Sequence, residues 1–487
     1  MGIVPCPESH VNQVWLMSPD GLDSERCLSP QLRNRADDLR WLVHVVATKA
    51  RRGETDRRGY VRLSSRVLRR VMSTRTMPAV VRAAVGGGVL SIDEHRIGRR
   101  TRGYRLGPRW RGRPLRWVAV QDERLAARVA REVDRLERLR LAVMLPIHHA
   151  LCESQTLLTV EPEGDFAAAA IDPEPVRHRQ QTILQQIRTG YPGRRVGTGR
   201  WYSPVSRLKR SLRPYLRLAG EPLGGYDLRC AQPRLLAVLL SAQLTQFVQC
   251  VATYSSTLFA LCSSRAKWAS HAPQSKCPLP DCVSADSSRD GCGVLSLGHV
   301  AAVASGAPRC GRDLGLFDEL TLDGGLYSHL LDRCRAAGVD LGDPDAKGRA
   351  ERDVVKLLLL RDVMAKLGGY PSEFEHVFRS EFPTVHRAVR WINGRHSPDD
   401  GCGAARSHGR LVRLLQRLES ALVLETVAPA LLPETPIVPV HDCLFAPVSH
   451  VPRVEQAFRD VFDRCGVRFA LKRDVPRAPT TYLETSA

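Results

Sequence analysis

Two short apolar segments each carry a single acid, and they constrain the fold more than any other feature of the chain. One is Tyr226-Asp-Leu-Arg-Cys-Ala-Gln-Pro-Arg-Leu-Leu-Ala237, and the other is Val440-His-Asp-Cys-Leu-Phe-Ala446. Such runs suit buried strands or helices, where an isolated carboxylate is costly unless it is paired, protonated or bound to metal. Brought together, Asp227 and Asp442 repel unless a divalent cation sits between them. That is the layout of a two-metal phosphoryl-transfer site.

The 487 residues are enough for two or three domains with real cores. Apolar residues make up 43% and charged residues 25%, a globular balance rather than a disordered one. The net charge of +21 favours polyanions, nucleic acid above all, through phosphate contacts and counterion release. A soluble protein whose arginines reflect a GC-rich genome is the plainer alternative. No apolar run reaches the roughly 20 residues of a membrane span, so no membrane partner is expected. The first residues lack a basic segment followed by an apolar core, and the 14 scattered cysteines form no compact disulfide framework. The expected compartment is therefore the cytoplasm or nucleoid.

Leu39, Trp41, Leu42, Val45 and Val46 predict a helix over 38–50 that buries one face. A strand at 60–63 follows, then a short helix capped by Ser64 or Ser65. A second helix is expected from Met77 to about Val85, stopped by Gly86-Gly-Gly88. Residues 89–92 and 103–106 read as strands around a basic turn. This is the order of a winged helix-turn-helix, with the Met77 helix in the major groove and Arg96, Arg99, Arg100 and Arg102 on phosphates. The same module also serves as a packing unit in a reading without DNA.

Residues 122–143 predict an amphipathic connecting helix, and 161–175 a loop or linker. The stretch at about 250–312 turns rich in Ser, Ala, Cys and Gly. Its Cys277, Cys282, Cys292 and Cys310 leave two readings open, a zinc set or an insertion without one. The expected domains are thus 1–115, a helical connector and linker over 116–176, and 177–487 with that insertion.

Five motifs from Arg177 onward resemble, in order, the palm and fingers of family A DNA polymerases and, more distantly, single-subunit phage RNA polymerases. Thr198-Gly-Arg-Trp-Tyr-Ser203 is similar to the T-G-R-x-S-S element, which implies that Arg200 touches the primer-template. Lys209, Arg210 and Arg213 follow, suited to phosphate contacts in any family. Asp227 to Ala237 is similar to motif A. The match implies Asp227 and the Leu228 carbonyl as metal ligands and Arg234 at the nucleic acid, with Gln232 where the DNA enzymes place a sugar-selecting glutamate. Pro233 would stop the strand at that point.

Arg352-Asp-Val-Val-Lys356 resembles the start of motif B, where residues four apart on a helix share a face and reach one triphosphate. The resemblance implies Arg352 on the outer phosphates and Lys356 neutralising or protonating the leaving pyrophosphate, with Leu360 and Met364 beside the nucleotide. Gln416-Arg-Leu-Glu-Ser420, expected to open a long amphipathic helix, resembles the element before motif C and implies Gln416 in the minor groove. Val440-His-Asp-Cys443 is similar to motif C, implying Asp442 as second metal ligand and His441 at the primer terminus. Cys443 is closer there to the RNA enzymes.

The fold expected is α+β: a winged helix-turn-helix, then a right-hand palm of antiparallel sheet with helices, and helical fingers. The function the resemblance implies is a template-dependent nucleotidyltransferase, foremost a DNA polymerase of a plasmid, phage or other mobile element. It would act on primer-template nucleic acid and nucleoside triphosphates with two Mg2+ ions, or Mn2+ in their place. An RNA polymerase or primase-like enzyme of the same fold, and a non-catalytic DNA-binding factor with a degenerate palm, are the alternatives. No acidic cluster before residue 177 suggests a proofreading nuclease.

Overall fold

The computed structural model describes residues 13–51, 54–56, 58–93, 101–251, 253, 311–341, 350–366, 370–394, 409–432 and 434–476. Arg96, Arg99 and Arg100 lie outside these residues, as do Cys277, Cys282, Cys292 and Cys310. The chain is of mixed α+β class and divides into two compact units. Among the described residues, the first takes those up to Val143 and Ala168–Thr182, and the second Met144–Ala167 and those from Ile183 on.

In the first unit β1 (Trp15–Pro19) leads to α1 (Ala36–Arg51), which buries Leu39, Leu42, Val43 and Val46 completely. Then come β2 (Val61–Arg62), α2 (Ser65–Val71), α3 (Met77–Gly86), β3 (Leu90–Ile92) and β4 (Gly103–Leu106). The Ser64 hydroxyl accepts from the Val67 amide and starts α2. Gly88, at φ +66°, allows the left-handed turn after α3 that an L side chain would strain. The three strands pair antiparallel in the order β2-β4-β3.

A two-stranded ribbon not expected from sequence joins β1 to β5 (Leu115–Ala119), pairing segments about a hundred residues apart. Helix α4 (Glu123–Ala142) is capped by Asp122, whose carboxylate accepts from the Arg124 and Leu125 amides. Asp37 on α1 accepts from the Gln121 and Asp122 amides at 2.7 and 2.8 Å, fixing where α4 starts. The expected linker over 161–175 instead contains a helix, Glu163–Ala169, because its alanines have the highest helix propensity.

The second unit is built on an antiparallel sheet. Its elements begin with α5 (Pro146–Thr156), β6 (Leu158–Val160), β7 (Arg194–Arg195), β8 (Trp201–Tyr202), β9 (Leu216–Leu218) and β10 (Glu221–Leu228). The helices that follow include α6 (Ala231–Leu240), α7 (Asp313–Asp323), α8 (Leu326–Ala336), α9 (Glu351–Leu358), α10 (Glu373–Glu381), α11 (Pro383–Gly394) and α12 (Arg410–Leu422). The hairpin β11 (Val438–Val440) and β12 (Cys443–Pro447), then α13 (Val451–Cys465) and β13 (Leu471–Asp474), complete it. Sheet order is β11-β12-β10-β9-β6, with β13 also paired to β10.

The central strand β10 is paired on both sides from Gly225 to Asp227. Gly225 is required at that point: a Cβ would lie 2.1 Å from the Leu444 carbonyl oxygen. The helices bury one continuous apolar core with the sheet, and α6 packs against both α7 and α12. No single helix among the described residues is long and apolar enough to cross a membrane.

Two boundaries differ from expectation. Strand β10 ends at Leu228, not at Pro233, because Cys230 turns left-handed at φ +50° and Pro233 falls in the first turn of α6, where a missing N–H costs nothing. Gln416 lies inside α12 and does not open it; the helix starts at Arg410 after Gly409 at φ +82°.

Candidate active site

The two acids singled out in the sequence meet at the C-terminal end of β10. Asp227 is the penultimate residue of β10 and stands directly opposite Cys443, the first residue of β12. Asp442 therefore sits one residue away, in the turn of the β11–β12 hairpin. That turn is pinned to the strand: the Leu228 amide donates to the Asp442 carbonyl at 3.2 Å. His441 enters the turn at φ +58°, a conformation uncommon for a side-chain-bearing residue.

Burial, and then the Asp442 charge, push the Asp227 carboxyl up to about 7. Lys356 on α9 and Lys472 on β13 pull the other way, and Asp474 adds to the rise. Lys472 is the β13 partner of Asp227, so Cys443, Asp227 and Lys472 line up across three strands on one face. The buried Cys443 thiol is raised far above its ordinary range by burial and by Asp227. An acid pair beside a neutral thiol is thus the local charge pattern.

Arg352 and Lys356 stand four apart on α9 and are both exposed. Lys356 acts on Asp227, and both cations act on the Cys230 thiol, so α9 presents its basic face to the start of α6. Arg352 also donates to the Gly324 carbonyl at 3.1 Å and lies 5.7 Å from the Tyr327 ring centre. Tyr327, on α8, has its hydroxyl pKa raised by burial, with Cys230 and Asp442 adding to it. The fragment holding Asp227, the hairpin with Asp442 and the α9 cations thus share one locality.

Arg200 and His441 lie at the dyad: burial and then Arg200 lower the His441 pKa, and Tyr202 meets the His441 ring edge-on at 5.6 Å. Arg213 is half-buried 5.9 Å from the Phe445 ring, its guanidinium pKa lowered by burial against the pull of Cys443, Asp474 and Asp227. Lys209 and Arg210 are exposed, Arg210 paired to Asp474 at 2.9 Å. Leu228 is buried, and the side-chain oxygen of Gln232 is buried without a hydrogen-bond partner.

Arg234, which the resemblance implies at the nucleic acid, is turned into the unit instead. It is 2% exposed, donates to the Arg468 carbonyl at 2.8 Å and pairs with Asp318, so its charge is spent inside the unit. Met364 is buried too, in a π turn (Leu359–Met364) that follows α9, and its carbonyl accepts from Asn393. Leu360 in that turn packs against the core, and Gln416 is half-buried on α12.

Four groups at the site were not foreseen. Glu419, on α12, is 1% exposed and receives the Arg200 guanidinium at 2.7 Å. Lys472, Asp474 and Tyr327 sit in segments with no motif of their own. Only Glu419 had a signal, an acid within an otherwise apolar helical face.

Among the described residues no group of three or more His, Cys, Asp or Glu converges as a metal-ligand set. Two repelling, desolvated carboxylates do fit Mg2+, which binds through one or two carboxylates and takes its other ligands from water and phosphate oxygens. Without a cation, the pair holds a charge conflict that protonation of one partner relieves. No protein-family model matches the chain, and neither a curated protein nor a solved structure matches it.

Proposed function

We propose that the second unit is a template-dependent nucleotidyltransferase, foremost a DNA polymerase of a mobile element, and that the first is a winged helix that binds DNA. The observation that carries the reading is the strand pairing that brings Asp227 beside the Asp442 turn, with Lys356 on the facing helix. The first unit supports its part by the order α1, β2, α2, α3, β3, β4 and the sheet order β2-β4-β3.

In this reading Asp227, Asp442 and the Leu228 carbonyl would hold Mg2+, which would supply charge neutralisation at the α-phosphate and acidify the attacking primer hydroxyl. Arg352 binds the outer phosphates from the face it shares with Lys356. Lys356 gives a proton to the leaving pyrophosphate. Gln232, whose buried side-chain oxygen has no hydrogen-bond partner, would bond the sugar hydroxyl in this reading. An amide there accepts a ribose 2′-hydroxyl that a carboxylate in the DNA enzymes rejects, which favours ribonucleotides as a second reading.

The test is primer extension on a primed DNA template with Mg2+, deoxynucleotides and ribonucleotides supplied separately, wild type beside Asp442→Ala. Extension by the wild type alone supports the enzyme, and the nucleotide used assigns the sugar. DNA binding by both without extension by either points to a non-catalytic factor instead.

A further inference from the structure

Glu419 lies in the Gln416–Ser420 element, where the resemblance gives a role only to Gln416, yet it is the most deeply buried acid near the dyad. Its neighbours on α12, Leu418, Ala421 and Leu422, are completely buried and apolar. One carboxylate oxygen accepts from Arg200 at 2.7 Å, and the other is buried with no hydrogen-bond partner. Burial pushes the carboxyl up to about 7 against the pull of Arg200, with Asp442 and Asp227 adding to the rise. A buried ion pair of this kind adds little to stability compared with apolar residues of similar size. Stability therefore does not account for an acid at this position.

Its geometry does. Gly199, at φ +82°, lays the turn before Arg200 onto α12, where a Cβ would stand 3.1 Å from the Ser420 hydroxyl. From that turn Arg200 reaches Glu419 with one nitrogen and lies within electrostatic reach of the Tyr202 hydroxyl. The Tyr202 ring meets the His441 ring edge-on, and the next residue is Asp442. A continuous line of interactions runs from Glu419 through Arg200 and Tyr202 to the hairpin turn.

We propose that Glu419 is a positioning residue of the Asp227–Asp442 site: its carboxylate holds Arg200, and through Tyr202 and His441 it fixes the turn that carries Asp442. This rests on the polymerase reading of that site. Residues that orient metal-binding groups from behind typically change metal affinity or activity by about 10- to 100-fold when lost.

The experiment compares full-length wild type, Glu419→Gln and the apolar pair Arg200→Met with Glu419→Leu. Thermal midpoint, Mn2+ affinity by calorimetry and primer-extension rate are measured on each. Glu419→Gln should be at least about tenfold slower and bind Mn2+ about tenfold more weakly. The apolar pair should regain the wild-type midpoint and stay slow and weak in Mn2+. An apolar pair that regains midpoint, rate and Mn2+ affinity together would show that Glu419 only packs, and overturn the proposal. Should the apolar pair not fold, a folded Glu419→Gln with wild-type rate and Mn2+ affinity overturns it equally. A wild type that neither extends a primer nor binds Mn2+ fails the polymerase reading itself, a different result from either.

Discussion

The Leu228 amide donates to the Asp442 carbonyl at 3.2 Å, so the strand carrying one acid is bonded to the turn carrying the other. The link uses only backbone, and it holds two like charges near each other whatever their protonation. With Gly225 pressed against Leu444 two rungs away, the strands have little freedom to slide apart. The charge conflict is therefore built into the sheet and must be relieved by a proton, a cation or a substitution.

The first prediction follows from that conflict. The Asp227 carboxyl is raised from near 4 to about 7, so the folded state holds its proton more tightly than the unfolded chain. The stability this contributes is full below pH 4 and is lost as pH rises through 7. In chelator, Asp227→Asn should match wild type near pH 4 and exceed it by about 2 kcal/mol at pH 8. Mg2+ should close the gap by stabilising wild type alone. Primer extension should fall at least about a thousandfold in the same variant. Melts over pH 4–8 with and without Mg2+ check it; a gap independent of pH would refute the charge conflict.

Lys356 provides an independent handle, because it lowers the Asp227 pKa from another element. Lys356→Ala should therefore move the acidic limb of the extension rate to higher pH. It should also slow the plateau by about a hundredfold if the ammonium protonates the leaving group. Lys356→Arg should restore the limb but not the plateau, since a guanidinium keeps its proton. Rate–pH profiles of the three proteins separate the two effects; identical profiles would remove Lys356 from the site.

The local patterns in the sequence carried well where partners are near in the chain. Leu39, Leu42 and Val46 marked α1, Ser64 marked the start of α2, and the acids in apolar runs marked Asp227 and Asp442. Groups whose partners are distant were invisible: β1 and β5 pair across about a hundred residues, and Glu419 finds Arg200 219 positions upstream. Arg234 shows the opposite error. An arginine on an apolar helix reads the same whether it faces solvent or is buried against a carbonyl and an acid, and only the position of Asp318 and Arg468 decides. Pro233 reads as a strand stop because a proline ends strands, but the left-handed Cys230 starts a helix before it.

Glu375 on α10 carries a prediction about stability alone. It is 1% exposed and receives His386 at 2.9 Å, Lys366 at 3.0 Å and Arg390. Burial raises its carboxyl, but these three hydrogen bonds outweigh that and hold it at about 2. Its contribution is present above pH 4.5 and is lost as pH falls through 2. Glu375→Gln should cost about 3 kcal/mol at pH 7, because three donors lose a charged acceptor in a buried place. The deficit should shrink as both proteins approach pH 2. Denaturant melts at pH 7 and pH 3 measure it, and an unchanged midpoint at pH 7 would show the hub to be solvated.

The last prediction concerns the first unit. Arg66 and Arg69 on α2 and Arg82 on α3 are the exposed basic residues on the helices that a winged helix lays on DNA. Removing one arginine that neutralises a phosphate should reduce the slope of log affinity against log salt by about one. Replacing all three with alanine should therefore flatten the slope by about three, with the weakening largest at low salt. A loss confined to one sequence would instead assign base reading to Arg82, the one long polar side chain on α3. Fluorescence anisotropy on two unrelated duplexes over a salt series distinguishes these outcomes. An unchanged slope on both would mean that this face does not meet DNA, and would leave the unit as a packing module despite its strand order.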